Sequence, residues 1–331
     1  FFAAGYFVVM ETETGQDLFL DRLLSVMTQN QQTAPVDGLD VYICGASSPL
    51  STTGNAQSCV FIIAGDRSFV VDTGPGSPRV IRRLGLPLNN LEAVLLTHFH
   101  GDHISALGDV NFNSWVAGRG KKLTVMGPEG VDLVVNGFNQ AYSLDSSYRT
   151  RHHGWDILPL EYSVMQSKTI EAGLVFEEDG LSIRAFRVDH SPIEPAVGYR
   201  FDYKGRSVAV SGDSIVTEDY REAVDSVDLL LADALSEVLV SKMSEALSAN
   251  GNERTSKLIH DVLDYHASTT SLVEMAKQAK VQQLAFYHMV PMPTNTFTEK
   301  VFRRGVPEEV IITDDGTRFV LPADSDEIII Q

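Results

Sequence analysis

The feature that most constrains this chain is the run Thr97-His98-Phe99-His100-Gly101-Asp102-His103, which follows directly on the apolar segment AVLL at 93–96. The chain has nine histidines, and His98, His100 and His103 stand here together with a carboxylate. On a helix, His98 and His100 would point to nearly opposite sides. On a loop leaving a strand they can converge, and neutral imidazole with carboxylate is a donor set suited to zinc. A satisfied polar loop would leave unexplained why four ligating groups cluster beside a buried strand. The chain must therefore fold so that a buried strand delivers an ordered, ligand-rich loop.

The rest of the sequence can supply such a fold. Its 331 residues are 44% hydrophobic, enough for a sizeable core. The net charge of −18 argues against a general nucleic-acid or anionic-membrane surface, because phosphates reward Lys and Arg. Two cysteines, Cys44 and Cys59, exclude a disulfide-rich scaffold and a Cys-based zinc module. Buried thiols are the default for them, with a disulfide if the protein is exported. No run reaches the ~18 apolar residues of a membrane span. The uncharged stretch FFAAGYFVVM at 1–10 reads either as the tail of a signal peptide or membrane anchor, or as an apolar terminal strand. Phe19, Leu23 and Met27 then mark an amphipathic helix over 17–27, and a polar linker runs to Pro35.

From Asp40 onward, strands and helices alternate. VYIC, CVFIIA, SFVVD, AVLLT, LTVMG, LSIRAFRV, LLLADA and QLAFYH read as strands. Turns fall at Gly65-Asp66 and Lys204-Gly205, and a closing hairpin is expected at Asp315-Gly316. A helix is expected over 128–144, followed by a polar loop with Tyr148, Arg149, His152 and His153, a candidate lining of the substrate mouth. Hairpins mixed with strand–helix alternation point to an α/β domain with mixed sheets. The expected organisation is an N-terminal segment 1–38, a catalytic domain 39–322 and a tail 323–331.

The 97–103 run resembles the metal loop of the metallo-β-lactamase superfamily, and further pieces follow in that family's order. His190 in RVDHSPIEP, Asp213 in VSGDS and His288 in AFYHMVP match its later metal motifs. The resemblance covers most of 39–322. It implies a four-layer αββα sandwich of two mixed sheets flanked by helices, with two zinc ions (manganese or iron also suit the donors). One ion would be held by His98, His100 and His190, the other by Asp102, His103 and His288, with Asp213 between them. Two cations so placed lower the pKa of a bridging water, giving a hydroxide nucleophile near neutral pH. Asp72, in VVDTGPG, would support the metal loop.

His266, in DYHASTT, is similar to the proton-donating histidine of ribonuclease Z and related phosphodiesterases, a branch that includes arylsulfatases. The bland reading is a helix-start histidine beside a capping Ser268 or Thr269. Asp233 stands where that family has a glutamate and would orient His266. The resemblance therefore implies ribonuclease Z-like phosphodiester chemistry, with an arylsulfatase as the alternative. A β-lactamase, a lactonase or a non-catalytic metal-binding scaffold ranks lower. The stretch between His190 and Asp213 is too short for the tRNA-gripping arm of longer enzymes. With the acidic balance, that sets tRNA aside in favour of a small-molecule ester. A homo-oligomer, a membrane anchor upstream of Phe1, and a periplasmic or secreted location, with the cytoplasm as the alternative, complete the expectations.

Overall fold

The computed structural model describes residues 9–27, 36–52 and 54–331. The chain divides into two units, 1–35 and 36–331. The first contains helix α1 (Glu13–Met27), one turn longer than its apolar spacing suggests, with Leu18, Phe19, Leu20 and Leu23 exposed. The stub 1–8 and the linker 28–35 lie outside the described residues.

In the second unit, one sheet of eight strands runs in the order β15-β14-β1-β2-β3-β4-β5-β6. Its members are β1 (Gly38–Gly45), β2 (Cys59–Ala64), β3 (Arg67–Val71), β4 (Leu91–Leu95), β5 (Thr124–Gly127), β6 (Gln166–Thr169), β14 (Arg318–Pro322) and β15 (Ile329–Ile330). The other sheet runs β13-β12-β11-β10-β9-β8-β7. It comprises β7 (Gly173–Glu178), β8 (Leu181–His190), β9 (Ile193–Tyr203), β10 (Arg206–Val210), β11 (Leu229–Leu235), β12 (Gln283–Val290) and β13 (Ile311–Ile312). Within each sheet, β3 to β6 and β10 to β13 pair in parallel and the remainder antiparallel. The mixed architecture expected from the sequence is therefore the observed one.

Strand alternation builds the layers. In β1 to β4, Leu39, Val41, Ile43, Val60, Ile62, Phe69 and Leu95 point to a core shared with Tyr199, Phe201, Val208 and Leu230 of the second sheet. The intervening Cys44, Phe61, Val70 and Val94 point the other way. There they meet helices α2 (Ser77–Arg83), α3 (Gly101–Ile104), α4 (Leu107–Val116) and α5 (Val131–His153) through Val80, Ile81, Leu107, Val110 and Val135. Helices α6 (Glu218–Ala223), α7 (Glu237–Ala249), α8 (Glu253–Asp261), α9 (Thr269–Gln278) and α10 (Thr296–Phe302) follow in the second half. With both faces covered, strands such as β1 and β2 read as near-continuous apolar runs.

Four local expectations change. The expected polar loop after residue 144 is helical: α5 continues to His153 and ends at Gly154, whose φ of +99° suits glycine. Asp315-Gly316 is not a hairpin, because β13 and β14 belong to different sheets. The turn instead ties down the loop after β1, with Asp315 accepting from the amides of Ala46 and Ala56 (3.1 and 2.7 Å). Cys44 and Cys59 are joined by a disulfide, their Cα atoms 4.9 Å apart on adjacent strands. Residues 323–331 contribute β15, which pairs with β14 at the sheet edge.

Candidate metal centre

The site forms where the parallel strands of both sheets end, the usual place for ligands in α/β proteins. The loop after β4 carries His98 and His100, and α3 presents Asp102 and His103. His190 closes β8, Asp213 follows β10, and His288 lies in β12. His98, His100, His190 and Asp213 bring their ligating atoms within 4.8 Å of one another, as do Asp102, His103, His288 and Asp213. Asp213 thus belongs to both groups. Its Oδ2 is 3.8 Å from His190 Nε2, 3.9 Å from His98 Nε2 and 3.3 Å from His103 Nε2. Its Oδ1 is 3.4 Å from His288 Nδ1. His100 and Asp102 are partly exposed while the other five are buried, so the site opens on their side.

His288 reaches the site through an irregularity. Asp233 pairs with Tyr287 and Ala234 with Met289, so His288 is the extra residue of a β-bulge, at a φ of +43°. Such bulges re-aim a side chain. Close backbone packing matters at Gly74, where a Cβ would fall 2.3 Å from the carbonyl oxygens of both Asp102 and Gln57. Gly74 is thus explained by its packing behind the metal loop, and Gly76 by its φ of +89°.

A buried network fixes the imidazoles. Asp72 accepts from His103 Nδ1 at 2.8 Å, from the Thr97 amide at 2.9 Å and from Thr97 Oγ1 at 2.8 Å. Thr97 Oγ1, its own proton given to Asp72, stands 3.1 Å from His98 Nδ1. His190 Nδ1 donates to the Tyr265 carbonyl at 2.9 Å. The rings of His98, His103 and His190 are thereby left with Nε2 facing the site, the arrangement that outer hydrogen bonds impose on ligating histidines.

The electrostatics agree. Burial pushes His98 well down, lowers His100, and brings His190 to about 4, so these rings are neutral and ready to ligate. Burial opposes ionisation of Asp102 and Asp213, yet His103 and His288 hold both far below the usual carboxylate range. His103 Nε2, His288 Nδ1 and Asp213 Oδ1 are buried without a hydrogen-bond partner. Buried polar atoms are rarely left so. A divalent cation would satisfy them, and the residues present fit one.

Asp233 and His266 lie against this centre, their ligating atoms within the same 4.8 Å reach of Asp213 and His288. His266 Nδ1 is 2.8 Å from Asp233 Oδ2. Burial lowers the imidazole to about 4 and raises the Asp233 carboxyl. The neutral form of the pair, holding one proton on that bond, is the one burial favours. Ser268 does cap α9, accepting from the Ser271 amide at 3.2 Å, so the capping and the site reading hold together. By contrast, Tyr148, Arg149, His152 and His153 ride the far turns of α5. That helix starts beside Phe99 and extends ~34 Å at 1.5 Å per residue. The sequence did not point to Tyr265 or Thr97, whose roles depend on a carbonyl and a hydroxyl that no spacing reveals.

Residues 67–289 match the profile described as the beta-lactamase superfamily domain. The chain belongs to that superfamily, and its fold is the metallo-β-lactamase one, a fold that implies divalent metal binding. Among its curated relatives is the ribonuclease Z of Mycobacterium bovis (strain BCG / Pasteur 1173P2), 30% identical over 76% of this chain and 86% of that protein. The ribonuclease Z of Mycolicibacterium gilvum (strain PYR-GCK) is 32% identical over 76% and 85%. In structure, human tRNase Z, short form, superposes with a TM-score of 0.59 at 17% identity, covering 86% of this chain and 99% of that one.

These relatives correct the expectation that sets tRNA aside for a small-molecule ester, since proteins named ribonuclease Z match this chain over most of their length. Net charge misled because it averages over the whole surface, while RNA is recognised by local shape, single strands and stacking. Among the described residues, no helix is long and apolar enough to cross a membrane; the anchor expected upstream of Phe1 lies outside them.

Proposed function

We propose that this chain is a dinuclear, zinc-dependent phosphodiesterase acting on RNA. The observation that carries the reading is the pair of ligand groups sharing Asp213, with His266 and Asp233 hydrogen-bonded beside them. Manganese or iron would suit the same nitrogen and oxygen donors. When bound, the cations supply Lewis-acid activation of water and neutralise charge on the phosphate. The chain's own residues do the rest. His100 and Asp102, at the open side, face the incoming phosphodiester. Asp233 holds His266 by Nδ1, keeping Nε2 free to pass a proton to the leaving oxygen. Asp72, Thr97 and the Tyr265 carbonyl keep the ligating rings in register.

The ribonuclease Z names of the relatives support RNA as the substrate class. The Cys44–Cys59 bond supports a place of work in an oxidising compartment.

The test is a rate assay on the zinc-loaded protein with a tRNA precursor bearing a 3′ trailer, bis-p-nitrophenyl phosphate and p-nitrophenyl sulfate. Turnover of the two phosphodiesters but not the sulfate is expected. His266→Ala and Asp233→Ala should lose about 100-fold or more while keeping their metal. Turnover of the sulfate alone, or of none of the three by metal-loaded protein, would overturn the reading. Full activity in Asp233→Ala would remove Asp233 from it.

A further inference from the structure

The ring of Tyr265 adjoins the site without serving as a ligand or acid. Tyr265 gives its carbonyl to His190, and its ring stands edge-on to the His190 ring, with centroids 4.9 Å apart. The same ring lies 4.8 Å from that of His266. His190 and His266 are buried, but Tyr265 is partly exposed, so its ring forms part of the wall between a ligand group and the candidate acid. Phe99, in the metal loop, is committed elsewhere: its ring packs against the start of α5, within 3.2 Å of the space a Gly130 side chain would take.

We propose that Tyr265 is a specificity-determining residue that stacks on the nucleobase of the leaving nucleoside. The inference rests on the phosphodiesterase reading above. His266 marks the side on which the leaving oxygen departs, and the base attached to that oxygen's ribose comes to the neighbouring ring. Tyrosine offers a flat apolar face that any base can cover, so the preference is for a base over none, with little choice among bases. Base–aromatic stacking corresponds to roughly five- to hundred-fold in affinity.

The experiment uses zinc-loaded full-length protein and two short oligoribonucleotides, identical except that the leaving nucleoside carries adenine in one and is abasic in the other. The wild type should show a KM about ten-fold or more lower for the adenine substrate, with similar kcat. Tyr265→Leu should abolish that difference and Tyr265→Phe should keep it. A merely structural role would weaken both substrates alike. Calorimetry with adenosine 3′-monophosphate against inorganic phosphate gives a readout independent of turnover: the wild type should favour the nucleotide, and Tyr265→Leu should not. If the wild type cleaves both oligonucleotides without preference, or Tyr265→Leu retains the preference, this proposal falls and the phosphodiesterase reading stands. If metal-loaded wild type cleaves neither, both fall. The wild-type comparison decides even if Tyr265→Leu does not fold.

Discussion

Replacing Asp72 by asparagine should weaken metal binding far more than it disturbs the fold. Asp72 is fully buried and receives four donors: the Thr97 amide, Thr97 Oγ1 and His103 Nδ1, at 2.9, 2.8 and 2.8 Å, and the more distant Ser58 Oγ at 3.4 Å. Alanine would be a poor probe. It would orphan these donors at about 1–3 kcal/mol each, a large part of a typical domain's stability. Alanine would also place a strained residue at a φ of +58°. Asparagine tolerates that conformation and keeps one carbonyl oxygen, which can still serve the Thr97 amide. Its NH₂ then faces donors, so the charge-assisted bonds to His103 and Thr97 Oγ1 are lost. His103 is freed to rotate or change tautomer, and His98 loses its brace through Thr97. Loss of such supports costs 10- to 100-fold in metal affinity. Zinc competition against a chromogenic chelator, with thermal unfolding of the metal-free protein as control, measures both effects. Wild-type zinc affinity in a folded Asp72→Asn protein would refute the reasoning.

Two further predictions concern stability. In the metal-free protein, His190 and His266, lowered to about 4, bind protons more readily unfolded, so stability falls as pH drops from about 6.5 toward 4. His103 and His288 have the opposite sign: burial lowers them, but the carboxylates, Asp213 foremost, raise both overall, and their contribution is lost as pH rises above 6.5. Calorimetric melting in chelator should therefore show a maximum near neutral pH, and a monotonic profile would contradict the assignment. Replacing Cys44 and Cys59 together by serine opens a link spanning 15 residues and should cost about 3 kcal/mol in denaturant unfolding, without loss of metal; an unchanged midpoint would show that the bond is not formed in solution.

The ligand-bearing loop, most of the strands and the mixed α/β class were legible because they rest on local chemistry: a motif at a strand end, and apolar runs separated by turns and helices. The four-layer sandwich was legible only through resemblance. Asp72 and the Asp233–His266 pair were legible through resemblance, and the geometry supplies their hydrogen bonds. What stayed hidden depends on pairing between distant segments. The bulge that turns His288 inward exists only in its register against β11. Strand β6 carries only exposed, polar residues, so no apolar run announced it, and β7 offers just three apolar residues in a row, Leu174 to Phe176. Asp315-Gly316 has hairpin composition, but its carboxylate is claimed by the amides of Ala46 and Ala56 across the molecule. The expectation that set tRNA aside failed for a different reason, since a whole-chain charge says nothing of where the acidic groups lie.

The central claim is that two cation sites share Asp213. Its most direct test is zinc stoichiometry on reconstituted protein after gel filtration, for the wild type, His190→Ala and Asp213→Ala. The account predicts two zinc ions per wild-type chain, a deficit confined to one site in His190→Ala, and weakened binding at both in Asp213→Ala. A wild-type chain that holds no zinc, or an Asp213→Ala chain that retains two tightly, would contradict it.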